Sequence, residues 1–205
     1  MTLHKLLIYL IAGWSGYFVM ALELLGGRAL GPYFGSGIYV WGAIITLFML
    51  SLSIGYLIGG TLSATKPSLQ KLSAILLLAV LAALPCALAS NRLLEFIFDH
   101  VTDPRYGALA ASVALFFLPI TVSGAVSPYA VRLLVDGLGT SGKVAGKVFF
   151  VSTLGSTLGT LLTSFYLILL FELDQILIGM MAISFLVGMA GLLFHRSGIK
   201  NAAAA

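Results

Sequence analysis

Long apolar runs, separated by short polar segments, make up most of the chain. The runs lack the strict alternation of apolar and polar positions that indicates strands. Crossing about 30 Å of hydrocarbon takes about 20 helical residues, and the backbone of a spanning segment must satisfy its own hydrogen bonds. The pattern therefore predicts an all-α integral membrane protein with six transmembrane helices. They are expected at about residues 6–25, 38–62, 72–90, 107–126, 145–171 and 175–195.

Composition supports a membrane protein. The 205 residues are 60% hydrophobic and 9% charged, and their mean hydropathy is +1.10, far from the balance of a soluble domain. We expect one six-helix domain over residues 1–200. The first apolar run is too long for a secretory signal and has no small-x-small cleavage site, so we expect it to be retained. Residues 201–205 are interpreted as a disordered tail or a cloning remnant.

Lysine and arginine positions predict the topology. With the N-terminus in the cytoplasm, eight of the eleven basic residues lie inside, and both termini are predicted to be cytoplasmic. The inner set is Lys5, Lys66, Lys71, Arg132, Lys143, Lys147, Arg196 and Lys200, and the outer set is Arg28, Arg92 and Arg105. The longest outer loop, residues 91–107, alternates apolar with charged residues, which favours a short amphipathic helix along the membrane interface.

Several function classes lack support. The net charge of +4 is too small to indicate a nucleic-acid partner, and a single cysteine, Cys86, allows no intrachain disulfide. No cysteine and histidine spacing for a metal is present, and we expect no cofactor. Residues 137–142 match G-x-G-x-x-G, but they lie in a predicted cytoplasmic loop and follow no strand. No nucleophile elbow, P-loop or midplane carboxylate pair indicates an enzyme.

Glu23 and Arg28 lie at the outer end of the first predicted span, with Gly26 and Gly27 between them. A spacing of five residues in a straight helix sets two side chains about 140° apart, which is poor for pairing. Glycine, however, lets a helix unwind so that Arg28 can fold back. Two interpretations stay open. Arg28 reaches lipid headgroups while Glu23 takes a hydroxyl or backbone partner, or the two form an ion pair or gate at the outer mouth.

Small residues recur every fourth position on two spans. The second span carries Ser51, Gly55, Gly59 and Ser63, and the fifth carries Gly155 and Gly159 beside a hydroxyl stripe of Ser152, Ser156, Thr160 and Thr163. This spacing lets helix backbones approach closely, so we interpret the four glycines as packing residues. A hydroxyl-lined solute path is the alternative.

Two further features suggest polar contacts inside the bundle. Trp14 and Tyr17 lie in the middle or outer half of the first span, and a buried indole N–H needs a partner, so Trp14 is expected to face protein. In the fourth span, Pro119 precedes Gly124 within a stretch rich in Thr and Ser, which bends or breaks a helix and frees carbonyl groups. Such a break is a plain kink or a transporter binding site.

Two stretches of the chain resemble a known family. They are ALELLGGRALGPYFGSGIYVWGAIITLFMLSLSIGYLIGGTLS, residues 21–63, and VSPYAVRLLVDGLGTSGKVAGKVFFVSTLGSTLGTLLTSF, residues 126–165. They resemble the membrane domain of bacterial fused membrane/spermidine synthase-like proteins, which is described as similar to half of a major facilitator transporter. The resemblance implies a bacterial inner membrane and carries over to Glu23, Arg28, Pro128, Tyr129 and Arg132.

The chain departs from that family in two ways. The loop GGTLSATKPS, residues 59–68, lacks the acidic and second basic residues of the facilitator loop, which argues against facilitator-type gating. Family members commonly continue into a soluble aminopropyltransferase-like domain. We expect none here, so enzymatic activity would have to come from a separate partner.

Two functions follow as hypotheses. The first is a transporter of a small metabolite, a polyamine or related amine, built as a homodimer in which each chain is a 3+3 inverted repeat. Its candidate substrate or gate residues are Glu23, Arg28, Trp14, Tyr17, Tyr129 and Arg132. A polycation should meet carboxylates, however, and Glu23 is the one carboxylate in a predicted span. The alternative is a non-catalytic anchor or assembly subunit for a separate spermidine synthase-like transferase or a larger membrane complex.

Overall fold

The computed structural model describes residues 3–135 and 137–203, and the side chains in these ranges except those of residues 138 and 195–203. The prediction for the tail at residues 204–205 therefore lies outside the described residues, as do the side chains of Arg196 and Lys200. The helices are α1 (Leu3–Phe34), α2 (Ile38–Ser63), α3 (Leu69–Leu88), α4 (Ser90–His100), α5 (Pro104–Gly124), α6 (Val126–Leu134), α7 (Ser141–Leu162), α8 (Ile168–Leu170) and α9 (Leu173–Ala203).

Six of the described segments are long and apolar enough to cross a membrane, which confirms the predicted all-α bundle. α1, α2 and α3 are each one span, α5 and α6 together form the fourth, and α9 supplies the sixth through Leu173–Phe194. The fifth span runs from α7 into α8 through a five-residue π-helical turn, Thr163–Leu167. The helices pack through apolar side chains, with small residues where two backbones meet.

The first helix is longer than predicted. We expected it to end near residue 25, and one of the two interpretations let it unwind at Gly26 and Gly27, but α1 continues to Phe34. Neighbouring aromatic rings account for these two glycines, because a Cβ at Gly26 would lie 3.0 Å from the ring of Phe116 and one at Gly27 would press on Trp41. Both glycines therefore serve close packing, and Gly35, with φ of 83°, ends the helix instead.

Charged residues divide between the two ends of the bundle. The end that we call the basic end holds Lys5, Lys66, Lys71, Arg132, Lys143 and Lys147, and the acidic end holds Glu95, Asp99, Asp103, Glu172 and Asp174 together with Arg28, Arg92 and Arg105. Six crossings bring the two ends of the chain to the same side, the basic end. The positive-inside rule predicts that this side is cytoplasmic.

The predicted amphipathic helix in the outer loop is α4, at the acidic end. Leu94 and Ile97 are buried against the bundle, while Phe96 and Phe98 are exposed at the predicted depth of the lipid headgroups. After α4, Asp103 caps α5 by accepting from the backbone N–H of Arg105. The Arg105 guanidinium, 2.7 Å from the Asp103 carboxylate, lowers the pKa of that carboxyl group.

Glycines bring two pairs of parallel helices into backbone contact. On α2, a Cβ at Gly59 would lie 2.6 Å from the Cα of Ala125, and one at Gly55 would lie 2.9 Å from the Cα of Gly124. On α7, a Cβ at Gly155 would lie 2.7 Å from the carbonyl carbon of Gly13, and one at Gly159 would lie 3.0 Å from the Cα of Tyr17. All four glycines are buried, which is the geometry of small-residue packing in membranes.

The two contacts are reciprocal. If the chain is divided into spans one to three and spans four to six, α2 is the second span of the first half and α7 begins the second span of the other half. Each uses its Gly-x-x-x-Gly to pack against the first span of the opposite half. Two three-helix repeats related by a twofold axis would make both contacts, so this packing is consistent with the expected inverted repeat.

The fourth span is interrupted between α5 and α6, and neighbouring helices bond its freed carbonyl groups. Pro119 has no N–H to donate to the carbonyl of Leu115, and the thiol of Cys86 on α3 donates to that oxygen at 3.1 Å. At the break itself, the hydroxyl of Ser15 on α1 donates to the carbonyl of Ser123 at 3.2 Å. The break is therefore held by α1 and α3, in agreement with the requirement that buried carbonyls find partners.

A pair of neighbouring glycines tests the backbone contact. Gly59→Ala should lower the free energy of unfolding by about 1–3 kcal/mol, the cost of overpacking a tight contact. Gly60→Ala is the matched control, since it makes the same chemical change on α2 where a Cβ would meet nothing within 4 Å. Thermal unfolding in detergent measures both. Equal behaviour of the two variants would show that the close approach of α2 to α5 does not contribute to stability.

Labelling of single cysteines tests the topology. Cys86 is buried and serves as a silent background. Asp99→Cys at the acidic end should react with a membrane-impermeant maleimide in intact cells, and Lys66→Cys at the basic end should react only after the membrane is opened. The reverse pattern would invert the predicted orientation, and labelling of both from one face would contradict the six-span arrangement.

Candidate functional site

The two aromatic candidates on α1 lie together. The rings of Trp14 and Tyr17 stack with centroids 4.8 Å apart and an interplanar angle of 10°. The indole N–H of Trp14 donates to the hydroxyl of Ser184 on α9 at 2.7 Å, so Trp14 faces protein. Both rings line a groove of about 280 Å³ between α1 and α9, together with Gln175 and Met180. We call it the aromatic groove.

Glu23 lies farther along α1, toward the acidic end, and is half-buried. Its carboxylate forms no hydrogen bond or ion pair with any described residue. It is one helical turn from Gly27 and therefore on nearly the same face of α1, the face that meets Trp41 of α2. A carboxylate at this depth without a protein partner is available to an incoming cation.

Arg28 forms its hydrogen bond with the end of the fifth span and not with Glu23. Its guanidinium donates to the carbonyl of Ile168 on α8 at 3.0 Å, and within the described chain it forms no ion pair with Glu23. Of the two interpretations, the ion pair with Glu23 does not form in this structure, because the unbroken helix holds the two side chains on different faces. A cation at a helix C-terminus satisfies a carbonyl that has no intrahelical donor and complements the helix dipole.

An open cleft of about 380 Å³ lies at the acidic end, beside Arg28. Its wall includes Tyr33 of α1 and three carboxylates from two separate parts of the chain, Glu95 on α4 and Glu172 with Asp174 at the start of α9. We call it the acidic cleft. The sequence alone could not show that α4 and the start of α9 meet. These three residues are the functional candidates that sequence reasoning missed.

The aromatic groove and the acidic cleft flank one corner of the chain. Residues 171–175 connect α8 to α9, and Phe171 and Gln175 line the groove whereas Glu172 and Asp174 line the cleft. The side chain of Gln175 accepts from the backbone N–H of Glu172 at 3.1 Å and fixes the start of α9. The π-helical turn that precedes this corner belongs to a class of irregularity that often occurs at functional sites.

Tyr129 and Arg132, which the resemblance suggested, lie on α6 near the basic end, far from the α1 candidates along the bundle. Tyr129 is fully buried, and its hydroxyl accepts from the backbone N–H of Ser68 at 3.1 Å, so it holds the loop before α3 against α6. Arg132 is exposed and bonds to no described residue. The candidates therefore separate into a group on α1 and a group on α6.

Little space remains between α1, α3 and α5 in the described structure. The cavity that these helices line measures about 10 Å³, too small for a solute. Ser156 of the predicted hydroxyl stripe donates to the carbonyl of Gly16 at 3.2 Å, and Thr160 bonds back to its own helix, so helix packing accounts for both hydroxyls. Among the described residues, no group of three or more Asp, Glu, His and Cys side chains is arranged to hold a metal ion.

The bond from Arg28 to Ile168 predicts a local stability effect. Arg28→Met should lower the free energy of unfolding by about 1 kcal/mol, because a partly exposed charged hydrogen bond at a helix C-terminus is lost. Proteolysis at residues 171–175 should become faster. Arg92→Met is the control, since Arg92 is exposed at the same end and bonds to no described residue. If both variants have the same melting temperature and the same rate of proteolysis, the bond from Arg28 to Ile168 does not stabilise residues 171–175.

Comparison with known proteins adds no family. No protein-family model, curated protein or solved structure matches this chain. The resemblance to the membrane domain of fused membrane/spermidine synthase-like proteins therefore stays an expectation.

Proposed function

We propose that the protein is a small polytopic transporter of the bacterial inner membrane that moves an organic amine. The observation that carries the proposal is the reciprocal packing of α2 on the α5–α6 break and of α7 on α1. Inverted repeats that pack in this way, with an interrupted helix at the interface, are typical of secondary transporters. The break between Gly124 and Val126 lies in that interface.

The acidic cleft and the aromatic groove support an amine as the cargo. A cation is attracted to the carboxylates of Glu95, Glu172 and Asp174. Aromatic faces such as the stacked Trp14 and Tyr17 favour alkylammonium groups by about 0.5–2 kcal/mol, depending on solvent exposure. Glu23 lies in the same half of the bundle. This arrangement supplies the carboxylates that a cationic cargo requires, which the spans by themselves do not.

A single chain leaves one of its spans largely uncovered. In the most apolar window of the fifth span, 11% of residues are buried, compared with 61% in the fourth span. A second copy packed on this uncovered side completes a bundle of facilitator size. We therefore propose a homodimer as the working unit.

Uptake into liposomes tests the proposal. Protein reconstituted with inward gradients of radiolabelled putrescine or spermidine should accumulate amine, and neutral glycerol should not be accumulated. Glu172→Gln should raise the amine concentration at half-maximal uptake about fivefold, since an exposed charge pair contributes about 1 kcal/mol. Asp99→Asn is the matched control, because it removes one carboxylate at the same end outside the cleft. Absence of uptake for every amine would overturn the proposal.

A second candidate function is an anchor or assembly subunit for a separate spermidine synthase-like transferase. The uncovered side of α7 favours it, since a different protein can occupy that side as well as a second copy. Mild-detergent purification from native membranes separates the two proposals. A stoichiometric foreign subunit would support the anchor, and recovery of the homomer alone would count against it.

A further inference from the structure

A further cleft lies at the basic end, away from the acidic cleft and the aromatic groove. It measures about 530 Å³ and lies between the start of α1, the end of α6 and the start of α7. Three lysines from two helices, Lys5, Lys143 and Lys147, line it, and no described carboxylate does. This volume is in the range of sites that bind small molecules.

Two of the lysines lie on one face of α7, four residues apart, so that their ammonium groups project toward the same region. Lys143 and Lys147 are exposed and bond to no described residue. Two neighbouring like charges repel each other, and an anion between them removes that repulsion. The first backbone N–H groups of α7, which begins at Ser141, add positive potential on the same side.

Apart from Thr140, the rest of the cleft is mostly apolar. Leu134, Val144, Val151 and the exposed ring of Phe150 form its wall, and Tyr9 is half-buried beside them. Phe150 and Val151 lie one turn beyond Lys147 along α7, toward the membrane centre. A free phosphate ion gains nothing from contact with this apolar wall. A phospholipid, in contrast, places its phosphate among cations and its acyl chains against apolar side chains.

We propose that this cleft binds an anionic phospholipid, with the headgroup phosphate at Lys143 and Lys147 and an acyl chain along Phe150 and Val151. The exposed ring of Phe150, near the start of α7, leaves the cleft open to lipid from the side. The predicted topology puts it in the cytoplasmic leaflet, where basic pockets between transmembrane helices bind anionic headgroups. The inference does not depend on transport or on the nature of its cargo.

Native mass spectrometry and lipid titration of the purified full chain test the site. Phosphatidylglycerol or cardiolipin should stay bound and raise the melting temperature, and phosphatidylcholine should do neither. Lys143→Gln with Lys147→Gln should weaken binding about thirtyfold, because each lysine contributes about 1 kcal/mol and 1.4 kcal/mol is tenfold. The control pair, Lys66→Gln with Lys71→Gln, makes the same charge change at the same end outside the cleft.

Three results would overturn the proposal. They are equal retention of phosphatidylcholine, equal weakening by the control pair, and competition by millimolar inorganic phosphate as strong as that by anionic lipid. The last result would show that the lysines bind a soluble anion rather than a lipid. Both double variants replace exposed lysines, and their melting temperatures in lipid-free detergent show whether folding is unchanged.

Discussion

Backbone contact between helices is the constraint on which the rest of the structure depends. Lipid tails are as apolar as leucine, so burial of apolar side chains gives transmembrane helices little reason to associate, and close packing must supply it. In this protein Gly55 and Gly59 bring α2 onto the fourth span, and Gly155 and Gly159 bring α7 onto α1. The other helices pack around these two pairs.

At the interrupted fourth span, side chains of neighbouring helices donate hydrogen bonds to carbonyl groups of the span. Pro119 and the turn at Ala125 leave carbonyl groups without helical donors, and hydrocarbon offers no water to replace them. Cys86 and Ser15 take that place, each from a different helix. The glycines of α2 meanwhile allow its backbone to lie directly against the broken region. The break is thus surrounded by three helices, which explains how non-helical backbone persists at membrane depth.

The number of spans and the charge bias of the loops were predictable, because both depend on composition over about 20 residues. The glycine faces on α2 and α7 were predictable as packing surfaces, but not their partners. Continuity of α1 through Gly26 was not predictable, since it depends on the ring of Phe116, which is distant in the sequence. The acidic cleft could not be predicted from the sequence either. Glu95, Glu172 and Asp174 become neighbours only because α4 folds back on the bundle beside the start of α9.

The π-helical turn at Thr163–Leu167 fixes how the following residues are rotated about the helix axis. Such a turn holds one more residue than an α-helical turn, and one residue corresponds to about 100° around the axis. Were the fifth span a regular helix, the carbonyl of Ile168 would point away from Arg28, and the corner would present Glu172 and Asp174 to a different neighbour. Removing one residue from this turn would therefore rotate the corner away from Arg28 and separate these groups.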